Sequence, residues 1–191
     1  MATTTHLLTY DDLCRMPDDG NRYELIGGEL VASPAPSRFH QEALTRLLEL
    51  LRAHVLPRRL GWVYPAPLDV HLGPHEIDQP DLIFVSRERA SILIDNGTEG
   101  APDLVVEVLS RSTRRRDLGV KLDLYAASGV QEYWAVDLEL DDVMQYALRD
   151  GRLERVPIVG RILRSIVLPG LEIDLDLLFD DFDEPVRLSD R

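Results

Sequence analysis

The chain has a single cysteine, Cys14, so no disulfide can close within it and a reducing compartment is the simple expectation. No apolar run approaches the roughly 20 residues needed to cross a bilayer. The opening residues, MATTTHLLTYDD, lack both the basic start and the apolar core of a signal peptide. These absences predict a cytoplasmic protein with no membrane partner. The scattered histidines have no zinc spacing, and GxGxxG, GxxxxGK[ST] and GxSxG are all missing. Nucleotide-cofactor folds and nucleophile-elbow hydrolases therefore have no support.

An excess of positive charge is also missing. The net charge of −13 argues against casual binding to nucleic acid, although much of it is local. From Leu171 to Arg191, eight acids stand against two arginines. The acidic tail over residues 180–191 reads as a solvated edge and terminus. The remaining composition is ordinary for a globular protein, and 191 residues predict one domain over 1–191 with a substantial core.

Several elements can be placed from pattern alone. Residues 1–20 predict a short helical segment, with Thr9 to Asp12 able to cap it. RYELIGGELVAS reads as a hairpin turning at Gly27-Gly28. Ser37 can cap the next helix, FHQEALTRLLELLRAHVL, which has Ala43, Leu44, Leu47, Leu48 and Leu51 at helical spacing and is expected to stop at Pro57. Strand patterns follow in GWVYPAPLDVHL, PDLIFVS and PDLVVEVLS. A second helix is predicted from about Ser112 to Ala127, with Gly129 suited to its end. EYWAVD, DVMQYAL, RLERVPIV and LPGLEIDLDLLF read as later strands. The order predicts an α/β sheet protein with helices packed on the sheet.

Glu107 is out of place in this pattern. Leu104, Val106 and Val108 share one strand face, and Val105, Glu107 and Leu109 share the other, so the carboxylate has no solvent side. A buried carboxylate needs a salt bridge, hydrogen bonds or a metal. Asp81 opens the preceding strand on the same face as Ile83 and Val85. It is either an ordinary strand-start aspartate or a second carboxylate converging on Glu107. Two converging carboxylates repel unless a cation or proton lies between them, and hard oxygen ligands suit Mg²⁺ or Mn²⁺.

The second helix adds cations. Lys121 falls on the apolar stripe of Leu118, Leu122, Tyr125 and Ala126. Its ammonium either snorkels to water or reaches the carboxylates below. Arg114, Arg115 and Arg116 occupy the first turn, where the macrodipole disfavours cations. They are an exposed basic patch, partners of nearby acids, or contacts for a phosphate backbone. His40, on the apolar side of the first long helix, is a core-edge histidine bonded to backbone or a group near a site. Glu24 in the hairpin either approaches the same site or sits at an edge.

RYELIGGELVASPAPSRFHQ, QPDLIFVSRER, GAPDLVVEVLSRSTRRRDLGVKLDLYAASGVQEYWAVD and LPGLEIDLDLLF resemble, in this order, the Uma2 family, once called DUF820, of the PD-(D/E)XK nuclease superfamily. The resemblance implies a restriction-endonuclease-like fold: a central mixed β-sheet flanked by helices, here with an N-terminal β-hairpin. It implies Asp81 and Glu107 as metal ligands and catalytic groups, with Mg²⁺ or Mn²⁺ as cofactor. Leu109 stands at the usual lysine position of the ExK element, and Lys121 on the following helix takes that role. Glu24 and His40 match supporting positions, while Arg111 replaces the proline of a usual SPST. A metal-dependent DNA endonuclease is the implied function, with Arg114, Arg115 and Arg116 on phosphates. DNA is the implied partner, and cutting both strands would suit a homodimer. A nuclease-fold binding or regulatory module without turnover is the alternative.

Overall fold

Leu104 to Leu109 alternate between two faces and all six are buried, so both sides of this strand must be covered. The computed structural model, which describes residues 6–17, 21–33 and 35–180, shows how. In chain order the elements are α1 (Tyr10–Leu13), β1 (Arg22–Ile26), β2 (Glu29–Ser33), α2 (Arg38–Arg58), β3 (Gly61–Pro65), β4 (Asp69–Gly73) and β5 (Glu76–Asp78). Then come β6 (Leu82–Ser86), a 3₁₀ segment (Arg87–Ile92), β7 (Leu93–Ile94), β8 (Gly97–Glu99), β9 (Leu104–Leu109), α3 (Arg114–Asp117) and α4 (Val120–Ser128). The rest are β10 (Glu132–Asp137), β11 (Asp142–Arg149), β12 (Arg152–Val156), β13 (Ile162–Arg164), β14 (Glu172–Asp174) and α5 (Leu175–Leu178). Most of the acidic tail, residues 181–191, lies outside the described residues, as do residues 1–5 and 18–20 of the N-terminal segment.

The strands form two mixed six-stranded sheets and one small pair. The larger core sheet has the order β12-β11-β10-β9-β6-β3, and the other β2-β1-β5-β4-β8-β7. In the core sheet only β9 and β10 run parallel, joined by the α3–α4 crossover that a parallel pair requires. One face of this sheet is covered by α2, whose Leu44, Leu47 and Leu51 meet Leu104, Val106 and Val108. The other face, carrying Val105, Glu107 and Leu109, is covered by α4 and by Val70 of the second sheet. No helix among the described residues is long and apolar enough to cross a membrane.

Four elements differ from expectation, each for a local reason. The predicted strand LPGLEIDLDLLF is strand only over Glu172–Asp174, because the Asp174 side chain accepts from the backbone N–H of Asp176 and caps α5. The predicted strand GWVYPAPLDVHL is two strands in two sheets, β3 and β4, because Pro65 and Pro67 cannot donate to a ladder. The helix expected to end at Pro57 continues to Arg58, since a proline in the last turn gives up a single hydrogen bond. The predicted helix from Ser112 to Ala127 is broken at Gly119, where a Cβ would lie 2.7 Å from the carbonyl oxygen of Arg115. The hairpin turn at Gly27 and Gly28 has φ of 60° and 73°, the left-handed region that a two-residue turn needs.

Glu132, at the start of β10, is fully buried. Its carboxylate accepts from Trp134 Nε1 and Gln145 Nε2, each at 2.7 Å, and from Ser165 Oγ at 2.7 Å. The backbone N–H groups of Ile166 and Val167 donate to it as well, at 2.8 and 3.0 Å. One side chain thus ties the 165–168 loop to the core sheet. Each stranded buried donor costs about 1–3 kcal/mol, so Glu132→Ala should lose at least about 3 kcal/mol, read as a lower urea midpoint with an unchanged slope.

Candidate active site

Pairing of Leu82 with Val106 sets Asp81 beside Glu107 and Val108 at the end of the core sheet. The backbone N–H of Val108 donates to Asp81 Oδ2 at 2.9 Å, and His40 Nε2 lies 3.0 Å from the same oxygen. Arg22 approaches the other oxygen, Oδ1, at 3.7 Å. Burial would raise the Asp81 pKa, but the His40 hydrogen bond and His40's charge interaction, then Val108 and Arg22, bring it below the ordinary value. His40 therefore bonds a carboxylate, not the backbone, and stands at the N-terminal end of α2 beside Ser37.

Glu107, Glu24 on β1 and Asp78 on β5 converge on one ammonium. Lys121 Nζ lies 2.7 Å from Glu107 Oε1, 2.8 Å from Asp78 Oδ1 and 3.0 Å from Glu24 Oε1. An ammonium has three donors, and all three are taken. At 1% exposure, Lys121 does not snorkel. Burial would lower its pKa, yet Asp78, Glu107 and Glu24 hold it well above the ordinary lysine value.

Tyr125, one helical turn after Lys121, completes the cluster. Its hydroxyl contacts Asp78 Oδ2 and lies 2.7 Å from Glu107 Oε1. Burial, then Asp78 and Glu107, raise its pKa well above the ordinary phenol value. Asp78 is lowered to about 2: burial opposes ionisation, but Lys121 and the hydrogen bonds around it prevail. Glu107 goes the other way. Burial raises it well above the ordinary value, and the charges of Asp81 and Asp78 add to that against Lys121.

The charges do not balance. Glu24, Asp78, Glu107 and Asp117 are four acids, and the cations among them are Lys121 and Arg116. If all were ionised, the cluster would hold two negative charges in excess. Buried carboxylates relieve such an excess by taking a proton or a cation.

The three arginines do not act as one patch. Arg114 pairs with Asp137, and Arg116 lies 3.4 Å from Glu24 Oε2 and 3.5 Å from Asp117. Arg115 is exposed and has no ion pair among the described residues. Arg111 pairs with Glu139 at 2.5 Å.

These groups line a cleft of about 1040 Å³ that runs from Arg22 and His40 past Asp81, Glu107 and Lys121 to Arg111, Arg114 and Arg116. Glu107 Oε2 and Asp81 Oδ1 accept no hydrogen bond among the described residues. No three His, Cys, Asp or Glu side chains are grouped as a full metal cage among those residues. A site with two protein carboxylates fits Mg²⁺, which keeps several waters and takes ligands from its substrate.

The sequence reading passed over Asp78 and Tyr125. One signal for the cluster was available: Lys121 is the only lysine in the chain, against twenty arginines. Arginine cannot replace lysine where a compact ammonium meets three converging carboxylates. Asp78 had no such signal, because its strand belongs to the second sheet and only the fold brings it over Glu107.

A family model named Uma2, described as "Putative restriction endonuclease", matches residues 9–177. Among solved structures, a protein from Anabaena variabilis, titled a "putative nuclease belonging to DUF820", superimposes with a TM-score of 0.75 at 19% identity. The match covers 90% of this chain and 97% of that one, and shows a shared fold. The search of curated proteins returned no match.

Glu24 is pushed up to about 7, first by burial and next by Asp78. A raised pKa means that the folded state holds a proton which the unfolded state has lost. Its contribution to stability is therefore complete below about 4.5 and disappears as pH rises through about 7. The metal-free protein should lose stability between pH 5 and pH 7.5, and Glu24→Gln should flatten that slope, measured by urea unfolding at both values.

Proposed function

The chain belongs to the Uma2 family, and from that premise we propose that it is a metal-dependent nuclease hydrolysing phosphodiester bonds of DNA. The observation that carries this reading is the cluster at the cleft, where four acids face two cations and full ionisation would leave two negative charges in excess. Asp81 Oδ1, which Arg22 approaches at 3.7 Å, and Glu107 Oε2 would hold a Mg²⁺ or Mn²⁺ ion. A divalent cation there supplies Lewis acidity towards a phosphate oxygen and acidifies a water.

The chain's own groups do the rest. His40 and the Val108 N–H hold one oxygen of Asp81, so the other faces the cleft. Lys121 holds Oε1 of Glu107 in the same way. Because its donors are saturated, Lys121 orients a water only when one of its three carboxylates turns away. Arg114 and Arg116 line the cleft and are available to a backbone phosphate once released from Asp137 and Glu24, while the exposed Arg115 lies outside that lining. Such contacts position DNA without reading its bases.

A second reading has its own support. With every Lys121 donor occupied and two arginines tied to acids, the fold also suits a binding or regulatory module without turnover. Supercoiled plasmid separates the two. The wild type should nick or linearise it with Mg²⁺ or Mn²⁺ and not with chelator, and Glu107→Ala and Asp81→Ala should each reduce the rate by at least about a hundredfold while circular dichroism stays native. Metal binding by calorimetry without any cleavage would favour the module. Full cleavage by Glu107→Ala would remove the site from consideration.

A further inference from the structure

Asp78 and Tyr125 take no step in the proposed chemistry, yet they join its parts. The Tyr125 hydroxyl contacts Asp78 Oδ2 and lies 2.7 Å from Glu107 Oε1, while the other oxygen of Asp78 lies 2.8 Å from Lys121 Nζ. A closed ring results: tyrosine, aspartate, lysine and glutamate, with every member at most 5% exposed. Three different elements supply it, β5, β9 and α4, so it cannot form until both sheets and the helix are assembled.

We propose that Asp78 and Tyr125 are positioning residues that lock Lys121 Nζ to Glu107 Oε1, leaving Glu107 with only Oε2 for the cleft. A glutamate has three side-chain torsions, and a carboxylate with one oxygen bonded to an ammonium and packed against a phenol hydroxyl loses most of that freedom; the hydroxyl's single proton serves Asp78 or Glu107. Without Asp78 the ammonium has two acceptors in place of three. Without the Tyr125 hydroxyl, Glu107 Oε1 keeps Lys121 alone and can rotate into the cleft. Partners of this kind around a ligating carboxylate set its orientation, and their loss typically weakens metal binding about 10–100-fold. The consequence for cation affinity rests on the nuclease reading above; the consequence for Lys121 does not.

The lone lysine makes the test direct. Protein grown with ¹⁵N-lysine has one side-chain ammonium resonance, that of Lys121, and its exchange with solvent reports how firmly it is held. Tyr125→Phe should speed that exchange and weaken Mn²⁺ binding, followed by calorimetry, by about tenfold or more. Tyr133→Phe is the comparison: its hydroxyl is also buried but donates to the carbonyl oxygen of Asp117, at 3.2 Å, and its loss should leave both readouts unchanged. Asp78→Asn keeps the shape and removes the charge, and should act in the same direction if Tyr125→Phe does not fold. Wild-type exchange and wild-type Mn²⁺ affinity in Tyr125→Phe would overturn the proposal, as would equal losses in Tyr133→Phe. If the wild type binds no Mn²⁺, the nuclease reading fails and the lysine exchange alone decides whether the ring positions Lys121.

Discussion

A single ammonium surrounded by three carboxylates governs how this protein is built at its cleft. Lys121 meets Glu107 from the core sheet and Glu24 and Asp78 from the second sheet, so one side chain joins two sheets and a helix. Removing the lysine would leave three buried carboxylates facing each other. Removing one carboxylate would leave a donor without an acceptor. Breaking such a buried pair from one side typically costs about 3–5 kcal/mol, more than most single contacts in a core. The cluster is therefore a structural joint as well as a chemical one, with four acids sharing two cations.

The surrounding fold supports that joint in two ways. Alternation along β9 sends Leu104, Val106 and Val108 to a dry core under α2, which holds the strand rigid, while Glu107 faces the opposite side. The break at Gly119 separates α3 from α4, so the arginine-bearing turn lines the cleft while α4 presents Lys121 and Tyr125 one turn apart on its buried side. Far from the cleft, Glu132 answers the same problem without a cation, through five neutral donors. The contrast is instructive: full hydrogen bonding suffices for one isolated buried carboxylate, but four crowded acids need positive charge.

Much of this is legible in the sequence. The strand patterns around Asp81 and Glu107, the hairpin at Gly27-Gly28, and the placement of Lys121 on the apolar stripe of its helix were all readable, because each rests on local periodicity. The reading of GWVYPAPLDVHL as one strand failed because it passed over the break at Pro65 and Pro67, and periodicity does not say which sheet each half joins. His40 and Arg114 to Arg116 were left open for a related reason: whether a cation meets an acid, the backbone or solvent depends on neighbours distant in sequence. Asp78 escaped altogether. An aspartate three residues before Asp81 looks like an ordinary strand end until the second sheet turns it towards Lys121.

The amino-acid order alone determined that Glu107 lies on a strand with no solvent side, and that Asp81 and Lys121 fall on positions able to approach it. These follow from the two-residue period of a strand and the 3.6-residue period of a helix, which are properties of the backbone. Only the tertiary structure decided that Glu24, Asp78 and Tyr125 join them, that every proton of Lys121 is taken, and that two of the three arginines answer acids. Those outcomes depend on where two sheets and a helix meet, and ion pairing falls off too steeply with distance for any one-dimensional pattern to record it.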